Sequence, residues 1–199
     1  MMGRISQVEG QLLRYIPAEK DWVAIAKDAP FGDNDALYSD ENGRAEFIMP
    51  NNTWVRTDGS TQIQTIKLAE DTTEMDVASG EARVTNKSSK ALIRATAPFG
   101  FVVAGPHTTF DLYVGDKSVE VVALEGQVDY VHLSSAEKYE AVAGSSSILA
   151  DSEQVTSGEE KPEGFRPPAE RTMSSFPEGR GKGSGRFEEP KGRNGPRPT

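Results

Sequence analysis

The chain carries only two histidines, His107 and His132, 25 positions apart, and Glu125 is a carboxylate that could be recruited to join them. Imidazoles and a carboxylate gathered at one end of a β-barrel are the donor set of a metal-dependent enzyme. No ligand spacing supports that grouping here, and the competing reading is two histidines in turns or on the surface. Asp33, Asn34, Asp35, Asp40, Glu41 and Asn42 are rich in oxygen donors of the kind calcium takes. They lack the order of an EF-hand loop, so they also read as a solvated loop capping strand ends. Ser145, Ser146 and Ser147, and Ser174 and Ser175, have no neighbouring base and no Gly-x-Ser-x-Gly elbow. The run Gly181 to Gly185 lacks the first glycine and the preceding strand of a phosphate loop, and reads as linker. Carboxylate pairs are too numerous for any one to be singled out for acid/base work. By subtraction the chain is expected not to be an enzyme, and no cofactor is expected.

Aromatic side chains offer binding chemistry instead. Trp22, Trp54, Tyr15, Tyr38, Tyr113 and Tyr130 can form a binding face, or the tryptophans can sit partly in the core with the tyrosines at its margin. Phe165, Phe176 and Phe187 recur every 11 residues, with Arg166, Arg180 and Arg193 close by. Spaced aromatics among basic residues can anchor a tail on a partner.

Charge separates that tail from the rest. Residues 1–160 hold 13 Lys and Arg against 26 Asp and Glu, a net of −13, and residues 161–199 hold 9 against 5, a net of +4. Together they give the chain its −9. The tail has no Val, Ile or Leu and takes 7 of the 12 prolines. Such a composition buries too little apolar surface to offset ordering entropy, so the tail is expected to be disordered or held by a partner. Residues 3–155 are then one β-domain of ordinary size, and residues 156–199 a Pro/Gly/Arg-rich basic tail. An acidic body argues against nucleic acid as a partner. The absence of cysteine excludes disulfides, thiolate metal sites and cysteine nucleophiles. No apolar run reaches the roughly 18 residues of a membrane span.

The elements that must position these residues are strands. Val and Ile number 23 against 9 Leu, a bias toward β-branched side chains that suit a pleated surface. Strands are predicted over residues 4–9, 11–16, 22–26, 44–49, 53–57, 61–68, 73–78, 81–85, 91–96, 100–104, 110–114, 119–131, 139–142 and 147–150. Gly, Asn, Asp, Pro and Ser clusters separate them, as in a sandwich, barrel or solenoid. In 110–114, Phe110, Leu112 and Val114 share one face, which is expected to be the buried one. Alternation slips at Val121 and Val122, which predicts a bulge there. Residues 134–138 can make a single helical turn.

The order of these segments resembles the FecR domain, in the version found in exported bacterial proteins. Gly3-Arg4-Ile5-Ser6-Gln7-Val8-Glu9-Gly10 is similar to its first strand, and Asn34-Asp35-Ala36-Leu37-Tyr38-Ser39 to its Gly-Asp-x-Leu-x-Thr step. Gly43-Arg44-Ala45-Glu46-Phe47 with Asn51-Asn52-Thr53-Trp54-Val55-Arg56 resembles its Arg-Ala-x-Leu and Asp-Gly-Ser-x-Val-Arg hairpin. Val119-Glu120-Val121 and Leu124-Glu125-Gly126-Gln127-Val128 follow its Val-x-Val-x-x-Gly-x-Val signature. Gly105-Pro106-His107-Thr108-Thr109-Phe110 departs from the sensor-type Gly-Thr-x-Phe.

The resemblance covers about residues 3–150. It implies an all-β fold, a FecR-like β-solenoid or two-sheet sandwich, and a periplasmic or extracellular place with any signal peptide removed. It implies a non-enzymatic interaction or assembly module that meets a protein partner or a second copy through strand edges and the basic tail. The alternatives are a periplasmic signal-relay fragment of a FecR-type sensor, and a cupin-like metal- or sugar-binding enzyme using His107, His132 and Glu125.

Overall fold

A computed structural model describes residues 1–144 and 147–158. Its elements are all strands: β1 Gly3–Glu9, β2 Leu12–Ile16, β3 Asp21–Ile25, β4 Pro30–Phe31, β5 Ala36–Ser39, β6 Arg44–Ile48, β7 Thr53–Thr57, β8 Thr61–Leu68 and β9 Thr72–Asn86. They continue with β10 Leu92–Ala97, β11 Gly100–Ala104, β12 Thr108–Val114, β13 Val119–Glu125, β14 Gln127–His132, β15 Lys138–Val142, β16 Ser147–Ala150 and β17 Val155–Gly158.

The 17 strands form one hydrogen-bonded network folded into two facing sheets. A front sheet runs β4-β1-β6-β7-β9-β12-β13-β16-β17. A back sheet runs β3-β2-β5-β8-β9-β10-β11-β14-β15. Every pairing is antiparallel except β9 with β10. The two sheets close over one core, in which Ile5, Phe47, Val55, Val84 and Phe110 from the front meet Leu12, Leu37, Ile63, Val77 and Ile93 from the back. The expected all-β class therefore holds in its two-sheet form.

β9 lies at the centre of both sheets. Its first half pairs with β8 and β10 in the back sheet, and its second half with β7 and β12 in the front. Two strands flanking Gly80 were the expectation from sequence; the chain instead makes one strand that turns from sheet to sheet at Gly80, where φ is +92°. A Cβ there would lie 2.2 Å from Thr61 Oγ1 and 2.6 Å from Thr61 Cα. Only glycine combines that φ with so close an approach.

Other departures have equally local causes. The predicted strand 119–131 is two strands, separated at Gly126 with φ +70°. The predicted bulge at Val121 and Val122 is displaced: those residues pair regularly with Leu112 and Asp111, and the register shifts where Thr109 and Phe110 face Glu125 and Ala123. The slip in alternation instead reflects burial of β13 on both faces, since Val121, Val122 and Ala123 are all buried. β12 is likewise buried on both faces: Asp111, expected on the open side, is as deeply buried as its apolar neighbours. β4 is only two residues long, and β5, buried at all four positions, shows no alternation, so neither carried a periodic signal; β17 was not predicted either. Residues 133–136 make one turn, closed by the Ala136 N–H on the His132 carbonyl at 2.8 Å.

Replacing Gly80 by Ala forces β9 away from Thr61 at the point where the sheets exchange it. The expected cost is about 3 kcal/mol, from the left-handed φ and the overpacked Cβ together. Urea unfolding of the Gly80→Ala protein checks it; a midpoint equal to that of the parent would show that β9 tolerates a side chain there.

Candidate functional site

Residues on alternate positions of a strand share a face, and the register of β6, β7, β9 and β12 carries four charged residues into one row. Glu46 faces Arg56, Arg56 faces Arg83, and Arg83 faces Asp111. The row runs across the outer face of the front sheet as acid, base, base, acid. Arg56 Nε donates to Glu46 Oε2 at 2.6 Å, and Ser6 Oγ donates to Glu46 Oε1 at 2.7 Å. Arg83 grips Asp111 with both arms, Nε to Oδ1 at 2.7 Å and Nη2 to Oδ2 at 2.9 Å, and the Tyr113 hydroxyl donates to Oδ2 at 3.2 Å. The bond to Asp111 holds the Arg83 guanidinium pKa above its ordinary value.

Burial is uneven along the row. The side chains of Glu46 and Asp111 are 6% and 3% exposed, whereas those of Arg56 and Arg83 are 42% and 24% exposed. The acids lie under the surface and the guanidinium groups stand above them. Two arginines directly opposed across a strand pair repel one another, and the flanking carboxylates offset that repulsion.

The next row along the same strands sets Trp54 against Thr85 and Thr85 against Thr109. Trp54 Nε1 donates to Asn52 Oδ1 at 2.8 Å, which fixes the indole plane, and Lys87 Nζ sits 3.6 Å from the ring centroid. Trp54, Arg56, Arg83, Thr85 and Lys87 line a cleft of about 230 Å³. A second hollow, of about 360 Å³, lies where β9 turns and contains Gly80, Glu81, Tyr113 and Glu120. One sheet face thus carries a cationic cleft and an acidic hollow side by side.

The residues singled out from sequence are mostly dispersed. His107 is exposed in the turn before β12, with φ +58°. His132, expected in a turn or on the surface, is fully buried: Nε2 faces the Asp151 carbonyl at 2.7 Å and Nδ1 faces Ser134 Oγ at 3.0 Å. Glu125 and Gly126 lie beside His107, while His132 ends β14 at its far end. No group of three His, Asp or Glu able to hold a metal occurs among the described residues. The acids of residues 33–42 cap backbone: Asp33 Oδ1 accepts from Leu68 N–H, Asp35 Oδ2 from Gly32 N–H, and Asp40 Oδ1 from Asn42 N–H. Between them the buried strand β5 replaces part of the expected loop.

The six aromatics do not form one face. Tyr15, Trp22 and Tyr38 make a separate small cluster with Leu13 and Ala36, with ring centroids 5.4 and 6.2 Å apart. Trp54 and Tyr113 belong to the front sheet. Tyr130, expected at the margin, is in the main core, where burial pushes its hydroxyl pKa up to about 12. Phe165, Arg166, Phe176, Arg180, Phe187 and Arg193 lie outside the described residues.

Glu46, Arg56, Arg83, Lys87 and Asp111 were not singled out from sequence. Their signal was the period of two: Trp54 with Arg56, and Arg83 with Thr85 and Lys87, are polar or aromatic steps between buried Val55 and Val84. That pattern places them on the outer face but does not say which strands lie side by side.

Residues 35–129 match the family model described as FecR protein. Among curated proteins none matches the sequence. Two crystal structures, at 2.50 and 1.65 Å resolution, of a protein described as an anti-sigma factor from Parabacteroides distasonis ATCC 8503 share the fold. Each has a TM-score of 0.53 and 12% identity. Each comparison covers 61% of this chain and 58% of that one, so the likeness extends over little more than half of the relative's length.

Two predictions rest on these charges. Asp111→Ala leaves the Arg83 fork without its partner, at an expected cost of about 2 kcal/mol, reduced from the full buried-pair value because Arg83 is partly in water. Chemical denaturation of the variant measures it. Asp76, on the outer face of the back sheet, has its pKa raised by burial from 3.8 to about 6, and its Oδ2 has no hydrogen-bond partner among the described residues. A raised folded-state pKa means that folding favours the protonated acid. Its stabilising effect is therefore complete below about pH 4 and is lost as pH rises to about 6. Asp76→Asn is expected to be more stable than the parent by about 2 kcal/mol above pH 6, with the gap closing below pH 4. Thermal melts of both proteins at pH 4 and pH 7.5 decide this, and a gap of equal size at both pH values refutes it.

Proposed function

From a FecR domain carried at residues 35–129, we propose that this chain is a non-enzymatic regulatory module of a bacterial signalling system, acting by protein contact in the periplasm or outside the cell. The observation that carries this reading is the FecR match on an open two-sheet body whose edges stay available. Among the described residues β3 and β15 each pair on one side only, and so does β17. Unpaired N–H and C=O groups along such strands are templates for an added strand from a partner.

The charge split supports a second contact. Residues 161–199 carry +4 against the −13 of residues 1–160, and chain continuity starts this basic segment just beyond β17. In this reading the Pro/Gly/Arg-rich segment beyond β17 reaches a neighbouring copy or partner, with Phe165, Phe176 and Phe187 as apolar anchors and Arg166, Arg180 and Arg193 meeting carboxylates. Attraction between opposite charges at that range is screened by salt.

A second reading is a signal-relay fragment of a FecR-type sensor, passing a signal from an outer-membrane receptor to a membrane partner. The solved relative described as an anti-sigma factor favours it. Both readings give the domain the same physical task, which is to hold a protein partner. No helix among the described residues is long and apolar enough to cross a membrane.

Light scattering of the full chain and of a chain ending at residue 160, at low and high salt, separates the two contacts. The full chain is expected to associate more at low salt, and the shortened chain to lose that salt-sensitive part. Equal association of the two removes the basic segment from the proposal. Loss of all concentration dependence in both removes association between copies and leaves a different protein as the partner.

A further inference from the structure

We infer that the cleft lined by Trp54, Arg56, Arg83, Thr85 and Lys87 is a binding site for a carboxylate group. Its lining contains three cations and no acid. The carboxylates that neutralise the two arginines, Glu46 and Asp111, lie beneath them at 6% and 3% exposure. An incoming group therefore meets guanidinium and ammonium, not their counterions. Counted together, Arg56, Arg83 and Lys87 against Glu46 and Asp111 leave one positive charge in a body of net −13, so the cleft is locally opposite in sign to its surroundings.

Donor capacity remains in the cleft. Arg83 commits Nε and Nη2 to Asp111, leaving Nη1 without a bond among the described residues. Lys87 is exposed and rests on the Trp54 ring, with no carboxylate partner among the described residues. The indole, fixed by Asn52, supplies a flat wall for the carbon skeleton next to the carboxylate, and the Thr85 hydroxyl lies between the two arginines' strand positions and Lys87. An aromatic wall with a few convergent polar donors is the usual form of a small-ligand site.

Size and charge select the ligand class. A volume of about 230 Å³ admits a carboxylate with a short carbon frame. Polyanions such as nucleic acid would carry their remaining charges onto the acidic body and be repelled. The remaining Arg83 Nη1 and the ammonium of Lys87 can each donate to one oxygen of a carboxylate. That carboxylate belongs either to a free sugar acid or to a Glu side chain of a partner, which present the same chemistry to the cleft.

The test uses the full chain labelled with ¹⁵N and follows the Trp54 indole N–H resonance. Sodium glucuronate, N-acetylglutamate α-amide and sodium sulfate are titrated in turn at constant ionic strength set with sodium chloride. A saturable shift with a carboxylate, weakened at least tenfold in Lys87→Gln and in Arg56→Gln, supports the site. Lys87→Gln changes an exposed residue and keeps the test valid if Arg56→Gln does not fold, as judged by circular dichroism. Tighter binding of glucuronate assigns a free sugar acid, and tighter binding of the glutamate amide assigns a partner's side chain. No saturable shift with either carboxylate, saturation by sulfate alone, or unchanged carboxylate binding in Lys87→Gln overturns the inference. None of these outcomes depends on whether the chain associates with itself, so the site stands or falls apart from the reading of its edges and tail.

Discussion

Everything in this fold hangs on one strand. β9 runs through the middle of both sheets, with four strands to either side of it in each. The residue that permits this is Gly80, whose missing Cβ lets the backbone pass within contact distance of Thr61 and change direction. Thr61 reinforces the bend, since its Oγ1 accepts from the Glu81 N–H at 3.1 Å. Because both sheets share this strand, their relative placement is set by covalent continuity as well as by core packing. Loss of the bend would separate Val77 from Val84, which lie on either side of it and belong to the same core.

The same strand explains why the charged row sits where it does. Arg83 is three residues beyond the bend, in a strand flanked on both sides by partners, so its face is shielded at the edges and wet only from above. A carboxylate in that position can be desolvated if an arginine covers it, and Asp111 is covered by two guanidinium nitrogens and the Tyr113 hydroxyl. At an edge strand the same pair would be open to water and contribute little. The exposed pairs Arg4 with Asp28 and Lys90 with Glu70, in which every side chain is more than half exposed, are of that weaker kind.

Much of the fold was legible in the sequence for a physical reason. Strand periodicity is local, so β7, β8 and β11 fall where alternation and turn residues place them. Strand identity in the sheet is not local: nothing in residues 81–85 says that they leave the sheet of residues 73–78, because a glycine between two alternating runs reads equally as a turn or a bend. Burial on both faces also hides the period, which is why the slip at Val121 and Val122 suggested a bulge that lies at Ala123 to Glu125 instead. The FecR resemblance was readable from glycine and apolar spacing. The cationic cleft was not, since it needs Arg56 and Arg83, 27 positions apart in the chain, to face each other in register. His132 was misplaced for a related reason: its burial comes from the carbonyl of Asp151 and the hydroxyl of Ser134, and only one of these is near it in sequence.

Surfaces suited to contact are those that persist when nothing is bound, and paired strand ladders provide them. Nine-strand sheets packed on each other leave broad outer faces, and an outer face in water must be polar. Polar residues on a rigid pleat are held at fixed spacings by the backbone ladder, so their arrangement costs little extra entropy when a partner arrives. The arginines above Glu46 and Asp111 show the principle at its strongest. Their ion pairs hold the guanidinium groups in place before any ligand approaches, which removes part of the ordering penalty that free surface arginines carry. Charges fixed in this way differ in position and sign across one face, and such a pattern is what lets a surface favour one charged group over another.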